Sequence, residues 1–237
     1  MSARYLEISR SELESRARQA YEIYRECRVC PHACGVDRTQ GQTGYCGQTD
    51  LLSVSSSVRH FGEEPPLVGT GGVGNLFVTA CNMRCDYCQN FQISQLWKKQ
   101  ALPTAVELER TYQSTAEQMV RLQKEGVHFI GWVSPSHVVP GLLKSLVLAR
   151  DMGFRIPIIY NTNGYDALPT LKLLDGVVDI YLPDLKYAHS VNAKEVSHIQ
   201  EYAEFSREAV LEMYRQVGPL VLGEDGLALH GLLVRHL

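Results

Sequence analysis

The chain has 237 residues, 45% of them apolar and 21% charged, with a formal net charge of −3. That length and apolar content suffice for one substantial core, and a near-neutral balance without a run of five like charges offers no foothold for nucleic acid or an anionic membrane. The opening Met1-Ser2-Ala3-Arg4-Tyr5-Leu6-Glu7 has no apolar stretch of signal-peptide length and no window approaches a membrane span, so the seven cysteines are expected as reduced thiolates in the cytoplasm.

Ser11 followed by Glu14 has the form of a capping box, and Leu13, Ala17, Ala20, Tyr21 and Tyr24 recur at helical spacing, which predicts a first helix ending near Cys27. Residues 27–75 are rich in Gly, Pro and Cys and read as an irregular lobe, so the chain divides into an N-terminal helix and Cys-rich lobe (residues 1–74) and a larger unit (residues 75–237). Gly69-Thr70-Gly71-Gly72-Val73-Gly74 satisfies G-x-G-x-x-G but precedes a strand instead of opening a helix, so the dinucleotide mechanism fails and a flexible lead-in is expected.

From residue 75 short apolar strands alternate with helical patterns, the signal for βαβ units and a parallel sheet. Strands are predicted at Asn75–Ala80, His128–Val133, Ile156–Tyr160, Val177–Leu182 and Leu232–Leu237. A helix opens at Thr104, with Glu107 completing a capping box, and others follow at Leu142–Met152, Leu168–Leu174 and roughly Ala193–Gln216. Val221–His230 reads as a hairpin around Glu224-Asp225-Gly226. The final strand stops without turn or cap, which reads as truncation of a longer sheet and an apolar edge prone to pairing.

Each apolar run gives way to polar or ionisable groups at its C-terminal end, where parallel barrels carry their chemistry. The first ends at Cys81-Asn82-Met83-Arg84-Cys85-Asp86-Tyr87-Cys88, the second at Ser134-Pro135-Ser136-His137 and the third at Asn161-Thr162-Asn163-Gly164. The fourth ends at Asp184-Leu185-Lys186 and the fifth carries Arg235-His236. Cys81, Cys85 and Cys88, spaced C-x3-C-x2-C, supply three thiolates where a cubane iron–sulfur cluster has four irons, leaving one iron free to chelate a small molecule. Three buried structural thiols or part of a zinc site are the alternatives.

The stretch Cys81 to Cys88 resembles the signature of the radical S-adenosylmethionine (radical SAM) superfamily. With Gln89-Asn90-Phe91-Gln92-Ile93-Ser94 behind it and His60-Phe61-Gly62-Glu63-Glu64-Pro65-Pro66 before it, the chain is similar over nearly its whole length to the pyruvate formate-lyase-activating-enzyme-like branch. The resemblance implies an α/β fold, an open partial (β/α) barrel incomplete at its C-terminus. It also implies an oxidoreductase with a 4Fe–4S cluster at Cys81, Cys85 and Cys88 that reductively cleaves S-adenosyl-L-methionine. The resulting 5′-deoxyadenosyl radical would abstract hydrogen from a substrate, protein or small molecule, with electrons from a low-potential donor. It places Tyr87 near the adenine, unless that ring only shields the cluster. Arg235 would pair with the cofactor carboxylate, Asn161 and Asn163 with the ribose hydroxyls, and Asp184 and Lys186 with cofactor or substrate. Many members carry a Gly-Gly-Glu-Pro-like turn after the second strand to orient the cofactor's amino group. This chain has Ser134 and Ser136 there, beside His137, for which a structural role is expected.

Cys27, Cys30, Cys34 and Cys46 account for the remaining cysteines and form a candidate second metal site, zinc or iron–sulfur, in which His32 could replace a thiolate. Activases with extra clusters carry them after the radical SAM motif, whereas these precede it, so activation of a protein substrate is an analogy. Two other readings stay open: a non-catalytic zinc or iron–sulfur metalloprotein, and a truncated, inactive binding module.

Overall fold

The computed structural model describes residues 2–97 and 101–236. Helix α1 (Arg10–Glu22) is capped by Ser9, whose hydroxyl accepts from Glu12 N–H, so the helix begins before the predicted Ser11 cap. Its buried stripe of Leu13, Ala17 and Ala20 is the predicted one. Strand β1 (Val54–His60) follows inside the segment read as irregular. Only two of its seven residues alternate as apolar (Val54 and Val58), so its polar sequence gives little strand signal. It is fixed by antiparallel pairing with β2 (Val73–Val78), from Val54↔Val78 to His60↔Val73, after the short helix α2 (Pro65–Val68). The glycine segment before β2 is closely packed rather than a loose lead-in: a Cβ on Gly69 would lie 2.7 Å from Leu227 Cδ2 and one on Gly72 2.7 Å from His60 O.

After α3 (Phe91–Ser94), the predicted capping box holds: Thr104 and Glu107 exchange both bonds and start α4 (Ala105–Lys124). Then β3 (Phe129–Val133), α5 (Val139–Asp151), β4 (Ile158–Thr162), α6 (Leu168–Lys172) and β5 (Ile180–Leu185) alternate as expected. The helix predicted over 193–216 is two, α7 (Ser190–Ser197) and α8 (Tyr202–Val217), broken where His198 turns left-handed at φ 60°. The hairpin forms between β6 (Val221–Leu222) and β7 (Ala228–Leu232), and the last predicted strand is divided between β7 and β8 (Arg235–His236). Leu237 lies outside the described residues.

The result is a mixed α/β fold with an eight-stranded, mostly parallel sheet that does not close, ordered β1-β2-β3-β4-β5-β7-β6, with β8 also paired to β5. This is consistent with a partial α/β barrel. Residues along each strand alternate between two apolar layers, as the two-residue period requires. Ile130, Trp132, Ile158, Tyr160 and Tyr181 enter the large layer, which also takes in α1, α4, α5 and α8. Phe129, Ile159, Ile180 and Leu182 enter a smaller layer with Val73 and Ala228. The long helices therefore cover one face, and the other encloses a small inner core. Among the described residues no helix is long and apolar enough to cross a membrane.

The segment 1–74 is fastened to the remainder rather than appended to it. β1 is an edge of the common sheet, and Arg10 grips Asp151 at the end of α5 with Nε and Nη2 at 3.0 and 2.8 Å.

Candidate functional site

Three successive strands leave the sheet through a left-handed residue: Ala80 (φ 67°) after β2, Ser134 (φ 54°) after β3 and Gly164 (φ 78°) after β4. For a residue with a Cβ this costs about 1 kcal/mol or more, so the surroundings must hold it. Ala80 N–H donates to Ile93 O and Ser134 N–H to Asn161 O, both at 2.8 Å. At Gly164 a Cβ would stand 2.9 Å from Asp184 O. The chain thus turns away from the rim and leaves a cleft of about 620 Å³ at the C-terminal strand ends, of a size that takes small molecules.

The inner-face parity that buries Val73, Phe129, Ile159 and Ile180 brings Phe77, Val133, Asn161 and Asp184 to the cleft, since each lies an even number of residues further along its strand. The loop after β2 contributes Cys81, Cys85, Cys88 and Tyr87. All three thiols of this loop therefore border one cavity, and the other four cysteines belong to the N-terminal lobe. Met83 N–H and Asn163 Nδ2 donate to Cys81 Sγ at 3.4 and 3.5 Å, and Cys88 Sγ lies 3.3 Å from Ser94 Oγ. Burial pushes the Cys81 thiol up to about 12 and raises that of Cys85.

The expected contacts Tyr87, Ser134, Asn161, Asn163, Asp184, Lys186 and Arg235 all line the cleft. Several are already engaged. Asp184 accepts from Arg235 Nε at 2.6 Å and from Lys186 Nζ at 2.8 Å, while Arg235 Nη2 donates to Asn161 Oδ1 at 2.9 Å. Asn163 Nδ2 donates to Asn82 Oδ1 at 2.7 Å and its Oδ1 accepts from Tyr165 N–H, so this side chain braces the cysteine loop. Tyr87 Oη meets Tyr187 Oη at 2.8 Å and leaves its ring about half exposed. Ser136 is not on the lining: it is buried, 3.4 Å from Thr162 Oγ1, whose hydroxyl donates to Asp166. His137 is fully buried against Thr79 O at 2.9 Å, the structural role expected of it.

Two ionisable lining residues, Glu63 and His60, had no role assigned from sequence. Glu63, nearly buried, accepts from Asn75 Nδ2 at 2.8 Å, lies 3.1 Å from His60 Nδ1 and 3.7 Å from Arg235 Nη1. Both Glu63 and His60 sit in the segment 60–66 that carried part of the family resemblance. The local signal was a motif, with no spacing rule to say that it folds back over the strand ends.

In the N-terminal lobe Cys27 and Cys30 are buried and Cys34 and Cys46 half-buried, with Tyr45 N–H donating to Cys34 Sγ at 3.4 Å. Gly44 abuts the same sulfur, where any Cβ would collide. Among the described residues no group of three His, Cys, Asp or Glu side chains converges as a single metal ion requires. The zinc site expected at Cys27, Cys30, Cys34 and Cys46, with His32 as an alternative ligand, is thus not assembled among the described residues.

No family model matches the chain. It is 26% identical over 226 residues to the uncharacterized protein MJ0674 of Methanocaldococcus jannaschii, a stretch covering 95% of this chain and 62% of that protein. It is also 28% identical over 174 residues to the uncharacterized protein MJ0808 of the same archaeon, 68% of this chain and 49% of that one. The chain thus spans 62% and 49% of the length of these two curated relatives.

Proposed function

We propose that this chain is a radical SAM protein of the pyruvate formate-lyase-activating-enzyme-like kind, an oxidoreductase whose substrate class stays open. The observation that carries the reading is the meeting of three cysteine thiols, Cys81, Cys85 and Cys88, on one cleft at the strand ends. Bound by them, a 4Fe–4S cluster would supply the electron that splits S-adenosylmethionine into methionine and a 5′-deoxyadenosyl radical for hydrogen abstraction.

The protein's own residues bind and orient. N–H groups of Met83 and Asn163 point at Cys81 Sγ, the kind of hydrogen bond that tunes iron–sulfur sites. The cleft carries both signs of charge, Glu63 and Asp184 against Lys186 and Arg235, which suits the zwitterionic amino-acid end of the cofactor. The exposed Tyr87 ring, with Lys186 Nζ 5.9 Å from its centroid, offers a flat apolar surface for adenine. In this reading the cytoplasm supplies the low-potential electron donor.

The test is anaerobic reconstitution with iron and sulfide, then S-adenosylmethionine and dithionite, with 5′-deoxyadenosine measured. The enzyme reading expects product from the wild type and none from the C81A/C85A/C88A variant. A colourless zinc protein, or an iron–sulfur protein that leaves the cofactor intact, would overturn it.

A further inference from the structure

His60, the last residue of β1, and Glu63 form a corner of the cleft in which hydrogen-bond acceptors outnumber donors. The Glu63 side chain is only 8% exposed, and its two oxygens are used unequally. Oε1 accepts from Asn75 Nδ2 at 2.8 Å and stands 3.1 Å from His60 Nδ1. Oε2 accepts no hydrogen bond among the described residues and is faced by Arg235 Nη1 at 3.7 Å. That guanidinium is already shared, since it donates to Asp184 and Asn161 and lies 3.5 Å from Glu64. A carboxylate oxygen held this far from water without a donor is costly, and a ligand that brings a donor recovers the loss.

The histidine adds a second acceptor. Its Nδ1 is sealed from solvent and faces no partner but the Glu63 carboxylate, so in the neutral ring the proton belongs on Nδ1 and the lone pair on Nε2. The side chain is 40% exposed although Nδ1 is hidden, so its open surface lies on the rest of the ring. Nε2 has no hydrogen-bond partner among the described residues. Gly62 leaves that edge clear: a Cβ there would stand 3.1 Å from His60 Cε1 and 3.4 Å from Nε2. Phe77 meets the ring edge-on with centroids 6.5 Å apart, and with Val133 it gives the cleft an apolar wall.

The fixed charges lean the same way. Glu63, Glu64 and Asp184 are set against Arg235 and Lys186, while Arg59 beside His60 turns away to Gly71 O at 2.6 Å. With the imidazole neutral, this group carries one uncompensated negative charge.

We infer that the His60–Glu63 corner is a binding subsite for a primary ammonium group on an alkyl chain. An ammonium has three donors and no acceptor, so it gives Glu63 Oε2 and His60 Nε2 the partners they lack. Its charge offsets the surplus acid, and its chain lies against Phe77 and Val133. A carboxylate or phosphate would set more negative charge beside Glu63, and a hydroxyl would bring one donor and no charge. That the group belongs to the substrate rests on the function proposed above; the binding itself does not.

The test takes the full chain, reconstituted anaerobically with iron and sulfide, and titrates it with n-butylamine, n-butanol and butyrate by calorimetry. Butylamine should bind at least about ten-fold more tightly than the other two. Glu63→Gln keeps an oxygen for Asn75 but removes the charge, and should weaken butylamine binding about ten-fold or more. His60→Phe keeps a ring beside Phe77 but removes the acceptor, and should weaken it about three-fold or more. Butanol or butyrate binding as tightly as butylamine, or an affinity unmoved in either variant, would overturn the proposal. S-adenosylmethionine carries an amino group of its own, so the titration is repeated with it at saturation. Retained affinity for butylamine is expected, and mutual exclusion would return the corner to the cofactor and defeat the inference. The two readings fail apart. Butylamine binding while dithionite leaves S-adenosylmethionine intact sinks only the proposed function, and cofactor cleavage without butylamine binding sinks only this subsite.

Discussion

Arg235 Nε donates to Asp184 Oδ1 at 2.6 Å across the short parallel pair of β5 and β8, so a cation expected to meet a ligand is already bound to an acid of the protein. Its Nη1 also faces Glu64 at 3.5 Å and Glu63 at 3.7 Å. A carboxylate ligand entering the cleft must compete with Asp184 or share the guanidinium with it. The two partners are not equivalent, because Asp184 has a second cation in Lys186 at 2.8 Å. Asp184→Ala should therefore cost about 1–3 kcal/mol, leaving two cations together, while Arg235→Met should cost less. Urea denaturation compares them, and equal losses would contradict the asymmetry.

His137 gives the fold a pH dependence. Burial, with Arg38 nearby, pushes its pKa down to about 4 from the ordinary 6.5. A depressed folded-state value means that the unfolded chain binds more protons between those limits. The contribution is present above pH 6.5 and is lost as pH falls towards 4, reaching about 3 kcal/mol. His137→Gln keeps a donor for Thr79 O and removes the titration. Wild-type stability measured relative to this variant should fall on acidification across that window, and a flat difference would exclude His137 as the source.

Gly131 makes room for a neighbour. It pairs in register with Asn75, and a Cβ there would strike Asn75 Oδ1. Asn75 in turn holds Glu63 at 2.8 Å. Gly131→Ala should cost about 1–3 kcal/mol through overpacking, and Asn75→Ala added to it should cost less than the sum of the two. Thermal unfolding of the four proteins measures the coupling; strict additivity would show that the two residues do not collide.

The capping box at Thr104 predicts a smaller effect. Thr104→Ala removes the acceptor for Glu107 N–H and should cost about 1 kcal/mol, with Thr104→Ser near neutral. Comparable losses in both variants would point to lost methyl packing instead.

The alternation of strands and helices was legible because parallel strands covered on both sides are apolar throughout, as Ile158-Ile159-Tyr160 is. Their far ends were not: β4 and β5 run on to Thr162 and Leu185, beyond the predicted Tyr160 and Leu182. Asn161 and Asp184 remain in the ladder while their side chains enter the cleft, and polar composition conceals that. β1 was missed because its partner is fixed by the sheet, whereas its own Ser55-Ser56-Ser57 has no apolar alternation. The three cleft cysteines announced themselves by spacing at a strand end. Nothing local signalled that Ser136 would turn from the cleft towards Thr162, or that Glu63 would fold back towards Arg235, since both depend on contacts distant in sequence.

The left-handed exits at Ala80, Ser134 and Gly164 give the cleft its outline through the main chain itself. A ligand arriving there meets walls already in place and loses little affinity to ordering them, which is the thermodynamic meaning of preorganisation. Backbone amides just beyond β2, β3 and β4 should accordingly exchange hydrogen at nearly the same rate with and without ligand, and the ligand's own flexibility becomes the main entropic term in how tightly it is held.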